Sequence, residues 1–231
     1  GWETSLKVVH AAMGNVNKDD KAAFISFPDI RDTTGVENLG MDQCAKGKGQ
    51  QIPCTDVPLL GLDLYFDTQP PEYKKYDIDF LSIDVEGFDW EVLLGADQTL
   101  QRVKYLEFEY NWKGQWKEYE LGTVVTTLRD RHGFVCYWAG VGELWRITDC
   151  MMPYYNLKFW SNVACVHVGQ RHLLQSMEDI FQRTLAQGNK IRYDQEKVES
   201  KTLREKNAIM MQRKKQRLRM KEAQKKQQSQ S

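Results

Sequence analysis

Apolar and polar positions along this chain sort into short apolar or alternating runs, a few segments at helical spacing, and a polar C-terminal region with neither pattern. Residues 6–12 (LKVVHAA) and 22–27 read as two short strands close enough to pair, with a turn over 14–21 between them. Residues 29–53 carry Gly, Asp, Lys and Gln without apolar periodicity and read as a long loop, a lid or an insertion. Residues 57–66 contain LLGLDLYF, and Pro70 and Pro71 stop any regular element there. The best-patterned stretch is 76–100, YDIDFLSIDVEGFDWEVLLGADQTL. Its apolar run, 80–85, reads as a buried strand broken at Gly87. A helix over 88–100 follows, with Phe88, Val92, Leu93, Ala96 and Leu100 on one face. Residues 103–110 (VKYLEFEY) alternate, placing Tyr105, Glu107 and Glu109 on one side of a strand and Leu106, Phe108 and Tyr110 on the other.

Beyond that strand, 111–120 is an aromatic and polar loop, and 121–131 a helix closed at Gly133. Strands are expected at 134–139, 144–147 and 160–168. Strands alternating with helices and ending in an antiparallel ribbon describe the second half of a doubly wound α/β sheet. From Leu173 to Leu185 the apolar residues form one helical stripe, which Gly188 and Asn189 are expected to interrupt. The remainder reads as a long, solvated basic helix without a clean heptad. The expected division is a body, 1–170, and a helical tail, 171–231, basic and partly disordered.

Composition sharpens this division. Formal charge is zero, yet residues 190–231 carry fourteen Lys or Arg against five Asp or Glu, so an acidic body of net −9 cancels a basic tail of net +9. With 231 residues, 41% of them hydrophobic, one sizeable core is affordable. No run of 18 apolar residues marks a membrane span. Cys136 and Cys165 lie in apolar strand-like runs and are expected to be buried thiols. Cys44, Cys54 and Cys150 lie in irregular stretches and could bridge in an oxidising compartment. The odd total of five counts against a complete disulfide scheme. The sequence names no compartment; its leaning is cytoplasmic.

The candidate chemistry sits at the strand ends. Asp84 closes an apolar strand where open sheets present ligand-binding groups, and Glu86 and Gly87 follow at once. Gly87 lets the backbone turn tightly and leaves room for a ligand. Asp84 and Glu86 could instead cap the following helix. If the next strand lies parallel, Glu107 and Glu109 fall near Asp84, a cluster able to orient a hydroxyl, accept its proton or hold a divalent cation. Either could alternatively pair with Lys104 or Lys113. No spacing supports a metal site. His10, His132, His167 and His172 are scattered, His132 reading as part of a helix cap. Trp112, Trp116 and Tyr119 could cover a substrate or belong to the core. Glycine-rich nucleotide loops and a nucleophile elbow are absent from the sequence.

Residues 79–96, DFLSIDVEGFDWEVLLGA, closely resemble the signature of FkbM-type S-adenosylmethionine-dependent methyltransferases, in which K-I-D-V-E-G ends a strand and a helix ending L-x-G-A follows. Ile83, Asp84, Val85, Glu86, Gly87, Glu91, Leu94, Gly95 and Ala96 match; Ser82 replaces the usual Lys, so that lysine's role does not carry over. The resemblance extends loosely over 6–168, through VVHAAMG, Leu62–Asp63 and YLEFEY. It implies a class I, Rossmann-like methyltransferase sheet in the order 3-2-1-4-5-7-6, with residues 76–100 as strand 4 and its helix. It also implies S-adenosylmethionine as cofactor and O-methylation of a hydroxyl on a sugar or small metabolite. Asp84 and Glu86 would line the cleft, Asp84 and Gly87 would contact the cofactor, and Glu107 or Glu109 would be secondary catalytic candidates. The glycine loop after strand 1 and the acid ending strand 2 would precede Gly1, so the domain is expected to be truncated at its N-terminus. These residues alone are expected to bind S-adenosylmethionine poorly or aggregate.

Two rival readings remain open at this level. One is a non-catalytic binding or scaffold protein acting through the basic tail on nucleic acid or an anionic membrane. The other is a metal-dependent hydrolase using the acidic cluster. Oligomeric state is not legible.

Overall fold

The computed structural model describes residues 7–16, 23–28, 44 and 54–228. The long loop expected at 29–53 lies outside the described residues except for Cys44. Two sheets form. The smaller contains β1 (Ala12–Met13), β2 (Ala23–Pro28) and β3 (Cys54–Leu60), with β3 in the middle. β1 runs parallel to β3 and β2 antiparallel to it, so the first two strands do not pair with each other as their closeness in sequence predicts. The strand that separates them, with Val57, Leu59 and Leu60, was hidden in a segment that changes element midway. At Gly61 it turns into α1 (Leu62–Asp67). A Cβ there would lie 2.3 Å from the Val16 carbonyl oxygen, so only glycine fits.

The larger sheet has the order β4 (Ile78–Ile83), β5 (Val103–Tyr110), β8 (Ser161–His167), β6 (Phe134–Ala139), β7 (Leu144–Arg146). β4 and β5 are parallel, and β8 is antiparallel to both β5 and β6. This is consistent with the 4-5-7-6 portion of a Rossmann-like methyltransferase sheet, closed by a β6–β7 ribbon. Strand alternation fixes its two faces. Leu106, Phe108, Tyr110, Phe134 and Val163 pack against α2 (Asp89–Leu94), α3 (Asp97–Leu100) and α4 (Leu121–His132). Val135, Tyr137, Ala164 and Val166 pack on the other side against Met177, Leu174, Ile180 and Phe181, from the first turns of α5 (Arg171–Gln228).

The helix expected over 88–100 breaks at Gly95. A Cβ at 95 would meet the Gly14 carbonyl oxygen at 2.2 Å, and the Gly95 carbonyl accepts the Asp63 N–H at 3.0 Å. The smaller sheet thus docks on the helical layer through glycine backbone. Asp63 then caps α3 from another element, accepting Gln98 N–H at 2.8 Å, Thr99 N–H at 2.7 Å and the Thr99 hydroxyl at 2.6 Å. α4 ends as expected at Gly133, left-handed at φ 69°.

The chain forms two compact units, Gly1–Phe181 and Gln182–Ser231. Within α5, Gly188 and Asn189 do not interrupt the helix, because each residue's hydrogen bonding survives a single unfavourable propensity. No helix among the described residues is long and apolar enough to cross a membrane.

The cysteines correct the thiol expectation. Cys136 and Cys165 are fully buried and joined as a disulfide between β6 and β8, while Cys44 joins Cys54. They face each other in register, with Cα atoms 4.0 Å apart. Cys136 directs its N–H to the Thr148 hydroxyl and its carbonyl to the Ile147 and Thr148 N–H groups, away from β8. It therefore makes a non-hydrogen-bonded pair with Cys165, the type in which facing side chains approach most closely. Cys150 alone is free.

Candidate functional site

β4 and β5 run in parallel and end together, and the chain turns sharply after each. After Ile83 comes Asp84, exposed. Glu86 and Gly87 then take left-handed backbone angles, φ 53° and 98°, and reverse the chain into α2. A non-glycine residue in that region is uncommon and is held there by its surroundings. Those surroundings include the loop after β5. A Cβ at Gly87 would lie 2.6 Å from the carbonyl carbon and oxygen of Lys113, and one at Gly114 would lie 2.6 Å from the Gly87 oxygen. Gln115 N–H donates to that same oxygen at 2.9 Å. The clearance expected for a ligand at Gly87 is filled by the chain's own backbone: Gly87 joins two loops.

Asp89 strengthens the joint from beneath. Wholly buried, its carboxylate accepts the Gly87 N–H at 3.3 Å and the Glu109 N–H at 3.1 Å, linking the turn after β4 to the end of β5. Burial pushes its pKa up to about 7, outweighing the backbone donors that favour the charged form; the nearby Glu109 charge pushes the same way.

Glu109 is buried and accepts Asn111 Nδ2–H at 2.7 Å. Asn111, also buried, uses its Oδ1 to accept the Lys113 N–H at 2.7 Å, so one amide orients both the carboxylate and the next loop. Burial raises the Glu109 pKa. The Asn111 hydrogen bond opposes this, the charges of Asp84 and Glu86 add to it, and that of Lys113 opposes it. The charges of the sequence-predicted acids Asp84 and Glu86 therefore reach Glu109 at the strand ends. Glu107 is engaged elsewhere, accepting from the Tyr105 hydroxyl at 3.2 Å and from Asn162 Nδ2–H at 2.9 Å. Of the two lysines expected as partners, Lys104 pairs with Asp79 and Asp77. Lys113 pairs with Glu86, and its ammonium stands 4.0 Å from the centre of the Trp160 ring.

The aromatic expectation divides. Trp116 is fully buried, stacked on Phe108 and edge-on to Tyr110, and belongs to the core. Tyr119 packs edge-on against Trp90. Trp112 is half exposed and meets Trp160, similarly exposed, in a T-shaped pair 5.6 Å between centroids. None of the histidines joins this group: His10 and His172 are exposed. The His132 Nδ1 faces Gln101 Nε2 at 3.0 Å while its Nε2 faces Asp97, and His167 packs on Phe134. His132 is thus a buried neighbour of Asp97 as well as a residue before the cap glycine. Among the described residues, no three His, Cys, Asp or Glu side chains are grouped to hold a metal ion.

Reading the sequence missed Asp89, Asn111, Lys113 as partner of Glu86, and Trp160. Asp89 carried a misleading signal, a charge outside the apolar stripe of an amphipathic helix. For Trp160 the only signal was its place just before a strand that pairs with β5.

A family model of the methyltransferase FkbM domain matches residues 9–136, more than half of the 231 residues. No curated protein and no solved structure matches the chain.

Proposed function

The chain belongs to the FkbM methyltransferase domain family, and we propose that it moves a methyl group from S-adenosylmethionine to a hydroxyl of a sugar or small metabolite at the joined ends of β4 and β5. One observation carries this reading: Glu109, with a pKa raised by burial, stands beside Asp84 and Glu86 in the family's motif region. The donor set suits the cofactor's charge. A carboxylate group of this kind is complementary to a sulfonium cation, and Asp84, exposed at the mouth, is the ligand-facing member. When bound, S-adenosylmethionine supplies an electrophilic methyl carbon with a neutral thioether as its leaving group.

The residues of the chain then have three tasks. Trp112 and Trp160 offer exposed aromatic surface on which the acceptor can lie. Glu86 holds Lys113 and so fixes the loop that carries Trp112. Glu109, oriented by Asn111, takes the acceptor's hydroxyl proton as the oxygen attacks; its raised pKa makes it a better base than an ordinary glutamate. Alignment and proton removal suffice for such a transfer, without a covalent enzyme intermediate.

The test is transfer of radiolabelled methyl from S-adenosylmethionine to a panel of hydroxylated acceptors, comparing the protein with Glu109→Gln. Glutamine keeps the shape and the Asn111 contact but cannot take a proton. Turnover is expected to fall by about 100-fold, within the usual range for loss of a general base, with KM little changed. Turnover within threefold of the parent would remove Glu109 from the chemistry.

A further inference from the structure

The disulfides say where this protein is made. Four of its five cysteines are paired and the fifth, Cys150, is exposed and free. The two pairs are independent of each other. Cys44–Cys54 joins residues ten apart at the start of β3, in the smaller sheet. Cys136–Cys165 joins neighbouring strands of the larger sheet, 29 residues apart in sequence and fully buried in the core. A buried pair of thiols alone is compatible with a reducing compartment. Two separate bridges that leave only the surface cysteine unpaired point the other way, because cytosolic thiol buffers ordinarily keep such cysteines reduced.

We propose that this chain is folded in an oxidising compartment, where a thiol–disulfide oxidoreductase closes both bridges. In each closure two thiols lose two protons and two electrons and form one S–S bond. The electrons reduce the oxidoreductase's own disulfide to a dithiol by exchange through a mixed disulfide. The Cys136–Cys165 bridge bears on the site: β8 sits between β5 and β6, and its Asn162 holds Glu107, just after Trp160. The bridge thus ties the strand beside the acidic cluster to the far half of the sheet. On the methyl-transfer reading above, the acceptors that reach the site are hydroxyls of secreted or luminal molecules.

The chain should be taken from the cells that make it, quenched in acid, unfolded in denaturant with excess iodoacetamide, and digested with trypsin without reductant. The expected map joins peptide 132–146 to 159–171 and peptide 32–46 to 49–74, with peptide 147–158 alkylated at Cys150. Both joined species should separate on reduction. Recovery of either pair as alkylated thiols overturns the proposal. Neither result bears on whether a methyl group is transferred, which the Glu109→Gln comparison decides.

Discussion

Asp89 and Glu109 show how two carboxyl groups at one site come to differ. Asp89 has no solvent contact and sits between two backbone donors; Glu109 keeps a sliver of exposure and an amide partner. Asp89 links two loops through backbone donors while Glu109 is oriented by Asn111, and the Glu109 charge adds to the cost of ionising Asp89. The consequence for stability has a definite sign. The folded pKa of Asp89, about 7, lies above the ordinary value of 3.8 that it regains on unfolding. Between those limits the folded state holds the extra proton. Its contribution is therefore fully present below about pH 4 and is lost as pH rises through 7. In Asp89→Asn this dependence disappears while one backbone donor loses its acceptor, at about 1–3 kcal/mol. Urea unfolding of both proteins from pH 4 to 8 should show the parent's advantage shrinking as pH rises. A pH-independent difference would mean that Asp89 is ionised throughout. Asp84, Glu86 and Glu109 were legible in the sequence because strand ends and a motif announce them. Asp89 was not, because burial at the underside of a loop junction leaves no periodic trace.

The two loops matter as a single element. The turn after β4 and the loop after β5 touch backbone to backbone at Gly87 and Gly114, and the Glu86–Lys113 pair spans the same junction. Gly87→Ala would introduce a methyl 2.6 Å from the Lys113 carbonyl at a φ of 98°. Strain and overlap at such a position should cost about 2 kcal/mol or more, read as a lower urea midpoint with unchanged slope. An alanine variant as stable as the parent would show that the loops part without penalty. The same elements mark how far sequence reasoning reached. Strands 134–139 and the helix closing at Gly133 are set by local signals, an apolar run and a left-handed glycine. The break at Gly95 and the insertion of β3 between β1 and β2 depend on contacts between distant segments, Gly14 with Gly95 and Val16 with Gly61. Local spacing carries no record of those contacts. Nor does it distinguish a buried thiol from a bridged one: Cys136 and Cys165 look alike in either state until register places them opposite each other.

At the scale of the molecule, the division into units follows from what each can bury. Gly1–Phe181 encloses both hydrophobic clusters, with sheet faces covered by α2, α3 and α4 on one side and the first turns of α5 on the other. The described residues of Gln182–Ser231 are helix only, so among them there is no second element to pack on. Isolated helices gain little from propensity alone, and this one carries exposed Ile191, Met210 and Met211 among many charges. Its local opening free energy should be far below that of the sheet. Trypsin reads this directly, since residues 190–231 offer fourteen Lys or Arg, while the described strands and helices of the body are held against two packed clusters. Limited digestion should remove the C-terminal helix within minutes and leave a resistant fragment ending between Arg183 and Lys201. That fragment should unfold within a few degrees of the parent, because the cores and the β4–β5 site lie in the first unit. If the body and the helix were cut at equal rates, or the fragment melted far below the parent, the second unit would be part of the cooperative fold. The acidic body and the basic helix would then be one stability unit, and their cancelling charges would be a property of the fold.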